Sequence, residues 1–314
     1  MQFSGPDETR HLAYYNSVSV AVDTVFLVSV REGWIMFRAA GLLVIGLAAS
    51  YLAIPDPVNP DPNGPRPIAA ADTLFIEDMT WMEVRDAMKA GKDTAIVATG
   101  GVEQNGPYLV TGKHNVVLRG TTEAIARRLG NTLIAPIVPF VPEGDIDPPT
   151  VHMKYPGTVS VTEETYRALL TDICASLRTH GFKHVVMIGD SGGNQEGMKQ
   201  VADLLNRDGK GKGCRVHYIA EYYDFQSVTD WLESEGISQN PEGYHDDFGM
   251  TATMMAVDPS SVRTNQRIAA DKFRINGVEL APAQRTIEWG RRIIEFRAAA
   301  TVKAIRAATR KDSP

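Results

Sequence analysis

The sequence is poor in cysteine, has no excess of positive charge and contains no internal repeat. Its two cysteines among 314 residues, Cys174 and Cys214, lack the Cys-x-x-Cys spacing of zinc ribbons and redox motifs. We therefore expect two free thiols, and we do not expect a cysteine-based zinc site. The formal net charge of −6, with lysines and arginines scattered along the chain, argues against a nucleic-acid surface. A hydrophobic content of 43% is ordinary for a globular protein.

Long apolar runs are also scarce, and only one segment could direct the chain to a membrane. Residues 36–54 have a charged start at Arg38, an apolar middle, and the small residues Ala48 and Ser50 near the end. This order is typical of a secretory signal peptide. An N-terminal anchor is the alternative, although the apolar run is shorter than the ~20 residues of a spanning helix. We predict that translation starts at Met36, that residues 1–35 are an upstream extension, and that the protein is periplasmic or secreted.

A proline-rich stretch follows the apolar segment. Residues 55–68 include PDPVNPDPNGPRP, which is too rich in proline for a helix or a sheet. Such a composition indicates an extended linker. The remaining residues, 69–314, are predicted to form one domain.

Within this domain, short apolar runs alternate with helical patterns. Strands are predicted at residues 94–101, 132–140, 183–190 and 215–220. Helices are predicted at residues 116–130, 161–181, 195–205, 248–257 and 282–308. This alternation predicts an α/β fold, a three-layer sandwich with a mainly parallel central sheet. Ligands of such folds bind beyond the carboxyl ends of the strands.

Carboxylate and imidazole groups follow the predicted strands. Glu103 and His114 lie after the first strand in GGVEQNGPYLVTGKHN, and Asp190 follows the third strand directly. These side chains suit a divalent metal such as zinc or manganese. A metal at this edge would acidify a bound water and polarise a carbonyl group. His245 and His152, in other loops, are candidates to move protons.

Two other interpretations of these loops are open on the residues alone. The glutamate and the histidine are also compatible with an ordinary solvated turn. The segment GDSGG formally matches the Gly-x-Ser-x-Gly nucleophile turn, with Ser191 at its centre and a strand-turn-helix context. A serine nucleophile would need a base within hydrogen-bond reach of its hydroxyl.

Four segments, in the same order, resemble the creatininase family of metal-dependent amidohydrolases. They are GGVEQNGPYLVTGKHN, HMKYPGTVS, RTHGFKHVVMIGDSGGN and HDDFGMTATMMAVDP, and the resemblance spans roughly residues 74–308. It implies a creatininase-like fold, hydrolysis of a C–N bond in a small amide or cyclic amide, and a homo-oligomer. It also implies a small-molecule substrate. From the charge pattern we expect no nucleic-acid partner, and from the N-terminal segment we expect membrane contact only through a possible anchor.

The resemblance also shows where this chain departs from the family pattern. Glu103 keeps the first metal ligand, whereas Asn105, His114, Ser191 and Met250 stand where the pattern has His, Asp, His and Glu. The usual two-metal site is therefore not expected. We predict one zinc or manganese ion per chain, with Glu103, His114 and Asp190 as ligands. The predicted substrate-binding residues are Asn105, Ser191, Asn194 and Asp247. The alternatives are ligand binding without turnover and a metal-free serine hydrolase.

Overall fold

The computed structural model describes residues 60–207 and 213–310. The chain divides into two units, residues 1–65 and 66–314. In the first unit, the described part of the proline-rich stretch is not fully extended, because the Gly64 amide donates a 3.1 Å hydrogen bond to the Asp61 carbonyl and closes a turn. The predicted extension and signal segment, residues 1–54, lie outside the described residues. No helix of the described part combines the length and apolar character needed to cross a membrane.

The centre of the second unit is a four-stranded, wholly parallel sheet, which confirms the predicted fold class. Its strand order is β2-β1-β3-β4. The strands are β1 (Thr94–Thr99), β2 (Thr132–Ile134), β3 (His184–Gly189) and β4 (Arg215–Tyr218). Strand β2 is shorter than the predicted run to residue 140, because Pro136 and Pro139 cannot donate to a sheet ladder.

Helices are the other main regular elements of the described residues. In chain order they are α1 (Trp81–Lys89), α2 (Lys113–Leu129), α3 (Glu163–Thr179), α4 (Gln195–Arg207), α5 (Phe225–Ser234), α6 (Phe248–Val257), α7 (Thr264–Ala269) and α8 (Ala283–Arg310). Two short strands, β5 (Arg274–Ile275) and β6 (Val278–Glu279), form a separate hairpin. The predicted α6 has the observed bounds, whereas α1, α5 and α7 were not predicted.

The side chains of β1 alternate between the two faces of the sheet, and both faces are covered by helices. Ala95 and Val97 are fully buried on one face, where they pack in a cluster with residues of α1, α3 and α4. Ile96 and Ala98 are fully buried on the other face, against residues of α2 and α8. Side chains of a strand alternate between faces, so a strand covered by helices on both sides is apolar throughout. Cys174 and Cys214 are free thiols, as expected, and both are buried.

Helix ends follow the expected local chemistry. Thr162 caps α3, since its hydroxyl accepts a 3.2 Å hydrogen bond from the Thr165 amide. Asp247 caps α6 in the same way, with a 2.7 Å hydrogen bond from the Met250 amide. Helix α2 differs, because its N-cap is Gly112, which has no side chain for this purpose.

The strand order fixes where a ligand can enter. The chain runs from β1 to its neighbour β2 on one side and later to β3 on the other side of β1. Connections that leave in opposite directions open a crevice at the carboxyl ends of β1 and β3. The loops carrying Glu103 and Asp190 begin there.

Candidate active site

Strands β1 and β3 end side by side, which brings their following residues together. Thr99 pairs with Gly189 in the last register position, and Asp190 comes next, with no solvent exposure. The loop after β1 is held by a 3.0 Å hydrogen bond from the Glu103 amide to the Thr111 carbonyl. Glu103 and Asp190 therefore face the same crevice from neighbouring strands.

A chain of buried charged groups links these two carboxylates. His114 Nε2 lies 2.8 Å from Glu103 Oε1, and His114 Nδ1 lies 2.8 Å from Asp190 Oδ2. On the far side, Arg297 donates to Asp190 Oδ1 at 2.7 Å and to the Tyr222 carbonyl at 3.2 Å. The three predicted metal ligands are thus together, but both ring nitrogens of His114 are engaged by carboxylates.

The contacts within this series of buried groups shift the pKa values of its members. Burial lowers the pKa of His114, but the hydrogen bonds to Asp190 and Glu103 outweigh burial and raise it above the ordinary value. Burial raises the pKa of Asp190, yet the Arg297 guanidinium and His114 lower it overall. For Glu103, burial is likewise outweighed by His114 and Lys113, so its pKa is lowered. The two carboxylates therefore make protonation of His114 easier than protonation of a free imidazole.

Glu103 also faces two further histidines. His152 Nε2 lies 3.2 Å from Glu103 Oε2, and His245 Nδ1 lies 3.4 Å from Glu103 Oε1. The two imidazole rings stack with centroids 4.7 Å apart. His152 belongs to a short 3-10 helix, Val151–Lys154, and His245 precedes α6. Two loops that are distant in sequence therefore converge on one carboxylate.

The group Glu103, His152 and His245 fits a single divalent cation. One ligand atom from each lies within 4.8 Å of the others, and this is the one such group found among residues 60–207 and 213–310. Two imidazoles and a carboxylate are a common donor set for hydrolytic zinc. Burial and the nearby Lys113 lower the pKa of His245, which favours the neutral imidazole that a metal requires. This set shares only Glu103 with the predicted ligands.

Lys113 adds a cation that sequence reasoning missed. Its Nζ lies 3.3 Å from Glu103 Oε1, and its side chain is only 4% exposed. It is the first residue of α2, directly before His114. The first two residues of α2 therefore direct two basic side chains to the same oxygen of Glu103, which lies in the loop after β1.

A cavity of about 500 Å³ opens in front of these groups. Glu143 lies in its wall, and its Oε1 is buried with no hydrogen-bond partner among the described residues. Burial, together with the neighbouring Glu103, raises the pKa of Glu143 to about 9. The predicted residue Ser191 also lines the cavity and donates a 3.4 Å hydrogen bond to Glu143 Oε2. The structure brings Ser191 to a carboxylate rather than to a histidine.

Two acidic residues that follow His245 line the same cavity but differ in their contacts. Asp247, predicted to bind substrate, caps α6 through Oδ1. Both carboxylate oxygens of Asp246 are buried and lack a partner among the described residues. Burial raises the pKa of Asp246 to about 6, against the opposing effect of Arg267. Asp246 therefore has two unpartnered carboxylate oxygens at this cavity, whereas Glu143 has one.

The other two predicted substrate-binding residues do not line this cavity. Asn105 donates from its amide to the Glu103 carbonyl at 2.9 Å and to the Val110 carbonyl at 3.0 Å. Asn194 donates to the carbonyls of Thr99 and Gly100, at 2.9 Å and 2.8 Å. Both amides hold backbone in place, so their contacts give the substrate-binding prediction no support.

Sequence reasoning missed Lys113, Glu143 and Arg297. Lys113 and Glu143 lie in loops or helix starts beside predicted elements, so a search of every strand exit for charged residues could have found them. Arg297 lies in the middle of α8, 107 positions from Asp190, where no local pattern signals its role.

The comparisons with known proteins agree with this architecture. A profile of the creatininase family, described as creatinine amidohydrolase, matches residues 77–305. The chain belongs to the creatininase family. Similar solved structures include a creatininase described as a manganese form. The match covers 76% of this chain and 99% of that chain, with 21% identity and a TM-score of 0.57.

Curated hydrolases are also similar to this chain. The creatinine amidohydrolase of Pseudomonas putida is 22% identical over 198 residues, 60% of this chain and 74% of that protein. The 3-dehydro-scyllo-inosose hydrolase of Thermotoga maritima is 26% identical over 119 residues, 38% of this chain but only 36% of that protein. A mutant creatininase described as a Zn–Zn type is 22% identical and has a TM-score of 0.55. Creatininase-family structures thus contain manganese or zinc, and at this identity the likeness establishes the fold.

Proposed function

We propose that this protein hydrolyses a C–N bond in a small amide or cyclic amide, with one zinc or manganese ion held by Glu103, His152 and His245. One observation carries the proposal: these three side chains bring ligand atoms within 4.8 Å of one another beside the cavity. When bound, such an ion lowers the pKa of a water molecule and polarises a carbonyl group. Membership of a family that contains hydrolases supports the reaction class.

In this proposal His114 and Asp190 position Glu103 instead of binding the ion, which changes the ligand set predicted from the sequence. His114 holds Glu103 Oε1 and is itself held by Asp190, which Arg297 anchors in turn. Partners of this kind fix the orientation of a metal ligand and are important for metal affinity. Glu103 Oε2, on the side of His152, stays available to the ion.

Glu143 is the residue best placed to carry a proton to the leaving nitrogen. Ser191 holds its Oε2, whereas Oε1 is buried in the cavity wall without a partner. This assignment replaces the proton-transfer roles predicted for His245 and His152, which bind the ion here. A positioned carboxylic acid suits protonation of an amine leaving group.

Asp246 is the group that would recognise the substrate through its N–H bonds. Its two carboxylate oxygens are buried and unpartnered, and a polar group in that state gains from any donor that a ligand offers. An amide or a lactam with a free N–H meets this requirement. The cavity volume of about 500 Å³ is within the usual range for small-molecule sites.

Metal content is the direct test of this function. The full chain, purified without chelators and without a metal-binding tag, should contain close to one zinc or manganese ion per chain by elemental mass spectrometry. Glu103→Gln should lose the ion, while the exposed-site control His180→Ala should keep it. Hydrolysis of a panel of small amides and lactams should then require the ion. A metal-free wild-type chain after dialysis against both metals would contradict the proposal.

Ligand binding without turnover is the second candidate, and the charge balance of the site favours it. Glu103 and Asp190 are already paired with three basic side chains of the same chain: Lys113, His114 and Arg297. Binding of an amide or lactam, observed by calorimetry without any hydrolysis in the presence of bound metal, would support this candidate.

Serine chemistry has less support from the geometry. Ser191 has an ordinary extended backbone, with φ −112° and ψ 151°, whereas a nucleophile elbow is strained. Among the described residues its hydroxyl bonds only to Glu143. A covalent adduct of Ser191 with a fluorophosphonate would revive this alternative.

A further inference from the structure

Lys113 occupies a position where a positively charged side chain is energetically unfavourable. Its ammonium is buried, and it lies at the first residue of α2, where the helix dipole disfavours a cation. The Gly112 N-cap supplies no side chain to offset that charge. Its ammonium forms an ion pair with Glu103 Oε1, the carboxylate oxygen at the centre of the site.

The surroundings of Glu103 Oε1 leave no ligand set for a second ion. That oxygen is already approached by Lys113 Nζ at 3.3 Å and His114 Nε2 at 2.8 Å. Asn105 uses its amide on backbone carbonyls, and Met250 presents an apolar side chain to the cavity. Within the described residues, the site offers one group of metal-ligating side chains and one fixed ammonium beside it.

We propose that the Lys113 ammonium supplies the second positive charge of this site in place of a second metal ion, and that it faces the carbonyl oxygen of the substrate. The inference rests on the proposed function. Lys113 lines the cavity, so its charge can reach a bound substrate. A fixed cation in a water-poor site stabilises negative charge that develops on an oxygen atom. The same charge opposes entry of a second divalent ion.

The test uses full-length protein and the neutral variants Lys113→Met and Lys113→Gln. Zinc stoichiometry is measured by elemental mass spectrometry, zinc affinity by chelator competition, and binding of methylphosphonate, a small anion that mimics a charged intermediate, by calorimetry. Wild type should hold one zinc per chain. Both variants should still hold at least one zinc, bind it at least about tenfold more tightly because a like charge is gone, and bind methylphosphonate at least about tenfold more weakly.

Turnover adds a second readout. On an amide that the wild type hydrolyses, the variants should lose about 100-fold in kcat with little change in KM, as expected when an interaction belongs to the transition state. The control Lys199→Met removes an exposed lysine on α4 and should change none of these values. Far-UV circular dichroism checks folding, and Lys113→Gln, which can still donate to Glu103, serves if Lys113→Met does not fold.

The possible failures are distinguishable. Methylphosphonate affinity that is the same in both Lys113 variants as in wild type would overturn the inference and leave the proposed function intact. Two zinc ions per wild-type chain would overturn the inference and also the single-ion site of the proposed function. A wild-type chain that binds no zinc would overturn both.

Discussion

One lysine–carboxylate ion pair lies at each end of the parallel sheet: at the amino edge, where the strands begin, and at the carboxyl edge, where they end. The two pairs have the same N···O distance but opposite environments. At the amino edge, Lys183 Nζ lies 3.3 Å from Asp93 Oδ2, with side chains 67% and 28% exposed. At the carboxyl edge, Lys113 Nζ lies 3.3 Å from Glu103 Oε1, with side chains 4% and 1% exposed. Water screens the first pair, so this pair contributes little to the free energy of unfolding. The second pair has lost its hydration, so each partner depends on the other.

This contrast supports the proposal that a ligand binds at the carboxyl edge, where the charged side chains are buried. Desolvated charges at fixed positions interact strongly with whatever enters the cavity, because the effective dielectric constant is low there. Arg297 and Asp190 extend the same buried network away from the cavity. Removing members of the two edges should therefore give effects that differ by several kcal/mol.

The largest expected effect comes from breaking the buried end of the network. Arg297→Met removes the guanidinium 2.7 Å from Asp190 and leaves a carboxylate without solvent exposure and with one partner fewer. We expect the free energy of unfolding to fall by about 3–5 kcal/mol. Urea denaturation followed by circular dichroism measures it. A loss below 1 kcal/mol would mean that the buried edge behaves like the exposed one.

Next in size is the removal of the central carboxylate. Glu103→Gln keeps the shape of the side chain but removes the charge shared by Lys113, His114, His152 and His245. We expect metal affinity to fall by more than about 100-fold, which exceeds the 10–100-fold typical of outer partners. Chelator competition measures this. Unchanged affinity would show that the metal binds at another site.

The histidine between the carboxylates should have a smaller effect, which also decides between two ligand sets. If His114 only positions Glu103, His114→Gln should weaken metal binding by about 10–100-fold and retain the stoichiometry at saturating metal. Complete loss of bound metal would instead support the ligand set predicted from the sequence, Glu103, His114 and Asp190. Elemental analysis after gel filtration distinguishes the two.

Asp246→Asn should affect the ligand but not the metal. The change keeps the size of a side chain whose two oxygens have no partner, and it removes the charge that would accept an N–H group of the substrate. We expect substrate affinity to fall by about tenfold, the lower end of the range for a hydrogen bond to a charged group. Metal content should stay the same. An equal KM for both proteins would argue against a recognition role.

The smallest effect is expected at the exposed edge. Lys183→Met breaks the pair with Asp93 and should change the free energy of unfolding by less than about 1 kcal/mol. Measured beside Arg297→Met under the same conditions, it gives the reference for the buried network. A loss as large as that of Arg297→Met would remove the distinction between the two edges.

Much of the fold could be predicted from the sequence. Thr94–Thr99 and His184–Gly189 are short apolar runs followed by glycines, and such runs between helical patterns predict buried parallel strands. The Thr162 cap and the bounds of α6 were equally local. Helices α1, α5 and α7 escaped prediction because they are short, so packing decides them more than the local sequence pattern does.

The site was predicted in part. Glu103, His114 and Asp190 were expected together because strand exits meet at one edge of a parallel sheet, and they do meet there. Which of these side chains contact one another, and which would bind a metal, was not predictable. Whether an imidazole faces a metal or bridges two carboxylates depends on side chains contributed by other elements, such as Arg297 of α8 and His152 of a distant loop.

The sequence by itself determined the parallel sheet, its helical cover and the two loops that carry the acidic groups, because hydrophobic periodicity and glycine stops are local properties of a chain. Only the tertiary structure decided which cation faces which carboxylate, how deeply each is buried, and that Lys113 and Glu143 belong to the same cavity as Glu103. Those outcomes depend on desolvation and on contacts between residues far apart in sequence, and no local pattern encodes either.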